Sequence, residues 1–172
     1  IPAAYVLARI GGRISRFIEE TIVLPVAVPG LAIALSLIIL YGGYRDFRSS
    51  WYFILVGHVL FTLPFMVRSV LAVLSSTNFK ELEEGAASLG APFWTRFLTI
   101  VLPNIKSGIL AGSLMVFTLS IGEFNLTWML HTPMTKTLPV GLADSYASMR
   151  LEVASAYTLI FFIMIIHFIP II

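Results

Sequence analysis

The side chains able to do chemistry are few, and they sit inside long apolar runs. Glu123 is the only acid within those runs, in Ser120-Ile121-Gly122-Glu123-Phe124-Asn125, and His58 lies well inside another. A carboxyl and an imidazole in an apolar medium are the parts of a proton path or a ligand site. Ser113 could suggest nucleophilic chemistry, but no base stands at motif spacing from it, and serine is common glue between membrane helices. There is no cysteine, which excludes disulfides, thiolate catalysis and Cys-ligated metals. No catalytic residue, metal site or bound cofactor is expected of this chain.

An ionised carboxylate at the centre of a spanning helix costs about 2.5–3.5 kcal/mol on insertion scales. Glu123 must therefore face a cavity or a partner, or lie near the outer interface. Two readings stay open: Glu123 and Asn125 line a pore, or Glu123 makes a helix–helix hydrogen bond or a gate contact. His58 has no acid or cysteine nearby in sequence, so it is read as a neutral histidine hydrogen-bonded to a neighbouring helix.

The elements that carry these residues follow from composition. Hydrophobic residues make up 58% of the 172 and charged residues 12%, with a mean hydropathy of +0.95. Soluble domains carry about 25% charged residues, so the chain reads as an all-α polytopic membrane domain, 1–172. The pI of 9.1 reflects a net charge of only +2 and does not point to nucleic acid. Residues 22–41 carry no charge and as a helix cover roughly 30 Å, the thickness of the hydrocarbon core. Pro25 and Pro29 remove backbone donors from its first half and should kink it, either toward a pore or for packing. Residues 51–76 form the next span, with Trp51 and Tyr52 as interfacial anchors, a kink at Pro64, and Arg68 able to snorkel. Residues 107–122 carry Gly108-x-x-x-Gly112, a close-packing pattern. Within 131–150, Thr137-Leu138-Pro139-Val140-Gly141 begins a short helix, and 153–172 is the last span. A start at Ile1 and an end inside an apolar run predict a piece of a larger protein, with four complete spans and part of a fifth.

Residues 78–103 interrupt this pattern. Lys80, Glu81, Glu83 and Glu84 crowd together between two apolar runs. Asn78 is a good N-cap, and Glu81 three residues on completes a capping-box pattern. Phe79, Leu82, Ala86 and Leu89 recur at helical spacing and predict one apolar stripe. Gly90 suits the left-handed position that stops a helix, Gly90-Ala91 is the turn, and Pro92 suits the first turn of a second helix. Phe93, Phe97, Ile100 and Val101 give that helix an apolar side, and Pro103 fits the first turn of the next span. Gly85-Ala86-Ala87 leaves a shallow surface where another body can approach the backbone.

Glu84-Gly85-Ala86, three residues, Gly90, nine residues, then Ile100-Val101-Leu102-Pro103 resembles the EAA loop of bacterial ABC importer permeases of type I. Gly85 stands where that signature has its first alanine, which weakens the helix by about 1 kcal/mol. Residues 2–9, PAAYVLAR, and 58–68, HVLFTLPFMVR, resemble other helices of the family, so the likeness covers most of the chain. It implies that Phe79, Leu82, Glu84, Gly85, Ala86, Leu89, Gly90 and Ala91 dock on an ATPase subunit, with Ile100, Leu102 and Pro103 as the anchor. ATP and magnesium would be held by that ATPase pair. A second permease subunit would complete the pore, with Glu123, Asn125, Pro25 and Pro29 as candidate lining. A periplasmic or lipid-anchored binding protein would deliver substrate. Gly122-Glu123-Phe124 resembles the branch handling polyamine, molybdate, ferric iron and phosphonate, so the expected substrate is a small polar solute such as polyamine, phosphonate or ferric iron. The competing class is a secondary transporter or channel using Glu123 and His58 as a proton path, against which the loop spacing speaks.

With the 78–103 loop cytoplasmic in a bacterial inner membrane, Arg9, Arg13, Arg16, Arg68, Lys80, Arg96 and Lys106 fall inside. Arg45, Arg48, Lys136 and Arg150 fall outside. The positive-inside bias agrees, modestly.

Overall fold

The computed structural model describes residues 1–168, so the end of the span expected over 153–172 lies outside the described residues. All regular structure among the described residues is helical. In chain order the helices are α1 (Pro2–Ile10), α2 (Gly12–Ala27), α3 (Gly30–Tyr41), α4 (Arg45–Arg48), α5 (Trp51–Ser76), α6 (Phe79–Ser88) and α7 (Phe93–Arg96). A π-helical turn over Phe97–Val101 follows, then α8 (Leu102–Asn104), α9 (Lys106–Gly122), α10 (Asn125–Leu130), α11 (Leu138–Ala147) and α12 (Leu151–Phe168). The chain divides into two compact units, Ile1–Leu24 with Leu63–Val116, and Pro25–Thr62 with Phe117–Ile172.

The first unit is built on Ala4, Tyr5 and Leu7 of α1, Val67, Val70, Leu71 and Leu74 of α5, and Phe79, Val101 and Ile105. α1 stops because Gly11 and Gly12 take positive φ, 61° and 75°, which costs glycine nothing sterically. Ser15 Oγ then donates to the Leu7 carbonyl at 2.8 Å and holds α2 back against α1. α9 meets α5 through Gly108 and Gly112, both buried. A Cβ built on Gly108 would lie 2.9 Å from the Ser69 carbonyl oxygen and 3.2 Å from Val70 Cα. The absent side chain is what lets the two backbones touch, and Ser69 Oγ uses the gap to donate to the Gly108 carbonyl at 2.8 Å.

The second unit packs Ile33, Ala34 and Leu37 of α3 against Phe53 and Ile54 of α5 and Leu126 and Leu130 of α10. The short α10 was not anticipated from sequence. Its C-terminal carbonyls are taken by Arg48, whose Nη1 donates to the Leu130 oxygen at 2.7 Å while its guanidinium lies 5.0 Å from the Phe53 ring centroid. The helix expected near Thr137 is present as α11. Within it Gly141 lies where a Cβ would sit 2.8 Å from the Tyr157 ring of α12.

Two expectations about the spans are corrected. Residues 22–41 are not one helix: α2 ends at Ala27 and α3 starts at Gly30. Pro25 is tolerated inside α2. Pro29 has no N–H to return to the Pro25 carbonyl, and it takes the extended conformation (φ −55°, ψ 138°) as the N-cap of α3. Pro103 does not open the next span either. It sits in α8, and the chain breaks at Ile105 before α9, so that Phe93–Asn104 and Lys106–Gly122 are bent by 64°. Pro103 cannot donate to the Thr99 carbonyl four residues back. The preceding turn widens, with the Leu102 N–H reaching the Phe97 carbonyl, which gives the π turn. Among the described residues Trp51–Ser76 alone is long and apolar enough to cross a membrane as one helix. The pairs Gly12–Ala27 with Gly30–Tyr41, and Phe93–Asn104 with Lys106–Gly122, reach that length only as broken spans, and Leu151–His167 is a shorter apolar helix.

Candidate functional site

The 78–103 loop belongs to the first unit and is helix, turn, helix. α6 ends in a two-bond cap. The Gly90 N–H donates to the Ala87 carbonyl at 2.9 Å and the Ala91 N–H to the Ala86 carbonyl at 3.0 Å. That pairing, with Gly90 at φ 84°, is the Schellman arrangement, and it closes the last turn of α6 while turning the chain toward Pro92. At the other end Asn78 stands at the N-cap but makes no side-chain capping bond, so the capping box with Glu81 is not formed.

The apolar stripe is only partly covered by its own chain. Phe79 is buried, but Leu82 is 55% and Leu89 90% exposed. Ala86 is half-buried, and Glu84 and Gly85 are exposed. The face of α6 that packs on its own chain is Phe79 and Glu83, one turn apart. Leu82, Glu84, Gly85, Leu89 and Gly90 are exposed, Leu89 almost fully and Leu82 with partial cover from the described residues. Ala91, Ile100 and Leu102 are half-buried and Pro103 is exposed.

Glu83 was not singled out from sequence, yet it is 1% exposed. The Tyr5 hydroxyl donates to its Oε1 at 2.8 Å, Arg9 Nη1 lies 2.6 Å from the same oxygen, and Arg96 Nη1 lies 3.5 Å away. Arg9 Nη1 also donates to the Tyr5 oxygen at 2.8 Å. The Tyr5 ring is boxed by Phe79, Phe93 and Phe97, with centroids 6.3, 6.2 and 5.6 Å away. A buried carboxylate left without its partner costs about 3–5 kcal/mol. Arg9 is 45% exposed, so water screens part of its share.

The second unit holds the other candidates. The Glu123 carboxylate accepts from the Leu126 N–H at 2.8 Å, the Thr127 N–H at 2.9 Å and the Thr127 hydroxyl at 3.0 Å. It thus satisfies the orphan donors at the start of α10 and meets the positive end of that helix. His58 is buried with both ring nitrogens engaged, Nδ1 with Ser120 Oγ and Nε2 with Thr127 Oγ1, each at 2.7 Å. His58 is therefore held by hydroxyls of neighbouring segments. Glu123, Thr127, His58 and Ser120 form one continuous polar chain. His58 and Ser120 also line a cavity of about 400 Å³ with Trp51, Lys136, Thr137 and Met164. Lys136 Nζ donates to Asp144 Oδ2 at 2.6 Å, a bond that holds the Asp144 carboxyl below its ordinary range. Asn125 is exposed at the start of α10, Pro25 is half-buried, and Pro29 is exposed. Among the described residues no group of three or more His, Cys, Asp or Glu side chains could hold a metal ion.

The described residues are those of an α-helical membrane domain with one unbroken apolar span, two bent ones and an amphipathic helix-turn-helix between spans. The chain belongs to the family of binding-protein-dependent transport system inner membrane components, of the type I ABC importer permeases, whose family model matches residues 1–172. It is 29% identical over 167 residues to the sulfate transport system permease protein CysW of Synechocystis sp., covering 88% of this chain and 60% of that protein. It is 30% identical over 137 residues to the molybdenum transport system permease protein ModB of Escherichia coli (strain K12), covering 71% and 59%. It is 26% identical over 141 residues to the putative 2-aminoethylphosphonate transport system permease protein PhnV of Salmonella typhimurium, covering 81% and 53%. The chain thus spans 53–60% of the length of these curated relatives.

Proposed function

We infer that this chain forms the greater part of the pore-forming domain of an ATP-driven bacterial importer, multi-pass in the inner membrane with the 78–103 loop cytoplasmic. The observation that carries the reading is the division of labour on α6. One face is locked to its own chain through Phe79 and Glu83, while Leu82, Leu89 and the Gly90 turn are bare. A bare apolar end on a rigidly held helix fits docking into a cleft of an ATPase subunit. ATP and magnesium belong to that partner, and this chain hydrolyses nothing. A second permease subunit completes the pore and a binding protein delivers the solute. ATP binding draws the docked loops together and turns the membrane helices as rigid bodies.

The transport systems named for the three relatives handle sulfate, molybdenum and 2-aminoethylphosphonate. They favour a small oxyanion over a polyamine or ferric iron. The competing proton-path reading is not favoured. Glu123 and His58 are bonded to backbone and hydroxyl partners, an arrangement that suits a structural tie.

Uptake in proteoliposomes holding the full-length permease, its ATPase subunits and its binding protein tests this, with sulfate, molybdate and 2-aminoethylphosphonate as probes. Accumulation of one of them is expected only with ATP, and a proton gradient alone should give none. Gradient-driven uptake without ATP would refute the importer reading.

A further inference from the structure

The loop could be tied to the rest of the permease only through the backbone at its two ends, or it could have a side-chain tie of its own. The Glu83 cluster decides between these. Its carboxylate lies on α6, between the charged residues that face solvent, yet both oxygens point inward to groups from elsewhere in the chain. Tyr5 and Arg9 belong to α1, 78 and 74 residues away in sequence, and Arg96 closes α7. The hydroxyl of Tyr5 is used twice, donating to Glu83 and accepting from Arg9. Its ring is clasped by Phe79 of α6, Phe93 of α7 and Phe97 of the π turn. Thus one residue of α1 touches three segments of the loop, α6, α7 and the π turn, and the carboxylate fixes its polar end.

We propose that Glu83 is a positioning residue that makes α1 and the coupling loop a single moving body, so that a push on the outer face of α6 reaches α1 directly. This rests on the reading of the loop as the ATPase docking element. The other three charges of the helix, Lys80, Glu81 and Glu84, are exposed, and among the described residues none makes such a tie. Closely packed side chains held by several bonds transmit displacement because they have few other arrangements to relax into.

The test follows two spin labels in the reconstituted full-length complex, at Val6→Cys of α1 and Glu81→Cys of α6, both exposed positions. The distance between them is measured without nucleotide and after trapping the ATPase with ATP and vanadate. With Glu83 intact the distance is expected to be the same in both states. In Glu83→Gln it should shift between states and become about twofold broader, as for two populated arrangements. Tyr5→Phe leaves the carboxylate beside Arg9 and should give a smaller broadening, which keeps the question answerable if Glu83→Gln assembles poorly. A distance that changes with nucleotide in the unaltered complex overturns the proposal. So does one unaffected by both substitutions. Cross-linking from Leu89→Cys to the ATPase is run alongside. Its failure in the unaltered complex would bring down the docking reading itself, whereas a cross-link with an unaffected label distance would bring down only the role of Glu83.

Discussion

A Gly108→Val substitution is expected to lower the apparent melting temperature of the purified permease by roughly 6–12 °C, from an overpacking cost of about 3 kcal/mol. The reason is local. The new Cβ would fall 2.9 Å from the Ser69 carbonyl oxygen, 2.9 Å from Val73 Cγ2 and 3.2 Å from Val70 Cα. Two of those atoms are backbone and cannot swing aside, so α9 must move off α5 and the Ser69–Gly108 bond is lost. Gly112→Ala should cost less, because its Cβ would meet the flexible Met66 side chain at Sδ, 2.6 Å, and Ser69 Cβ at 3.1 Å, with no backbone atom among its nearest neighbours. Gly122→Ala meets nothing within 4 Å and should change little. Thermal unfolding of the three variants checks the order. Equal melting temperatures would mean that α9 and α5 do not meet as closely as described.

Gly90→Val is expected to cut ATP-driven uptake about tenfold while leaving the protein in the membrane. A non-glycine residue at φ 84° carries about 1–2 kcal/mol of strain, and that strain falls on the docked geometry of the loop. No neighbour lies within 4 Å of a Cβ at Gly90, so the cost is conformational and not a clash. Gly90→Asn should therefore retain most of the uptake, since asparagine visits the left-handed region more readily. Uptake per reconstituted complex measures both. Full activity in the valine variant would show that the Schellman turn is not needed for coupling.

These two glycines were legible in the sequence because each follows from backbone geometry alone. A helix stop before a proline and a Gly-x-x-x-Gly pair in an apolar run need no knowledge of distant residues. The motif from Glu84 to Pro103 was legible for the same reason, as a fixed spacing. Glu83 was not. It stands among Lys80, Glu81 and Glu84, and nothing local separates it from them; its burial is decided by Tyr5 and Arg9 at the other end of the sequence. The stripe of Phe79, Leu82, Ala86 and Leu89 shows a related limit. Periodicity finds an apolar face but not what covers it, and here the chain covers only Phe79 fully. The split of residues 22–41 shows the limit of hydropathy. Composition gave a span, whereas Pro29, which cannot bond back to Pro25, ends one helix and starts another. The α10 cap was partly visible. Glu123 was seen as a carboxylate needing a partner, and the partner is the N-terminus of a helix too short to announce itself by pattern.

Coupling by this loop requires that the exposed end of α6 meet an ATPase in the cytoplasm. Leu89, 90% exposed, is the place to ask. The 172 residues contain no cysteine, so Leu89→Cys is a unique reporter within them. A membrane-impermeant maleimide should label it in inside-out vesicles and not in right-side-out ones, and a bifunctional maleimide should join it to the ATPase subunit. Labelling only from the outer side, or a cross-link only to the binding protein, would contradict the account.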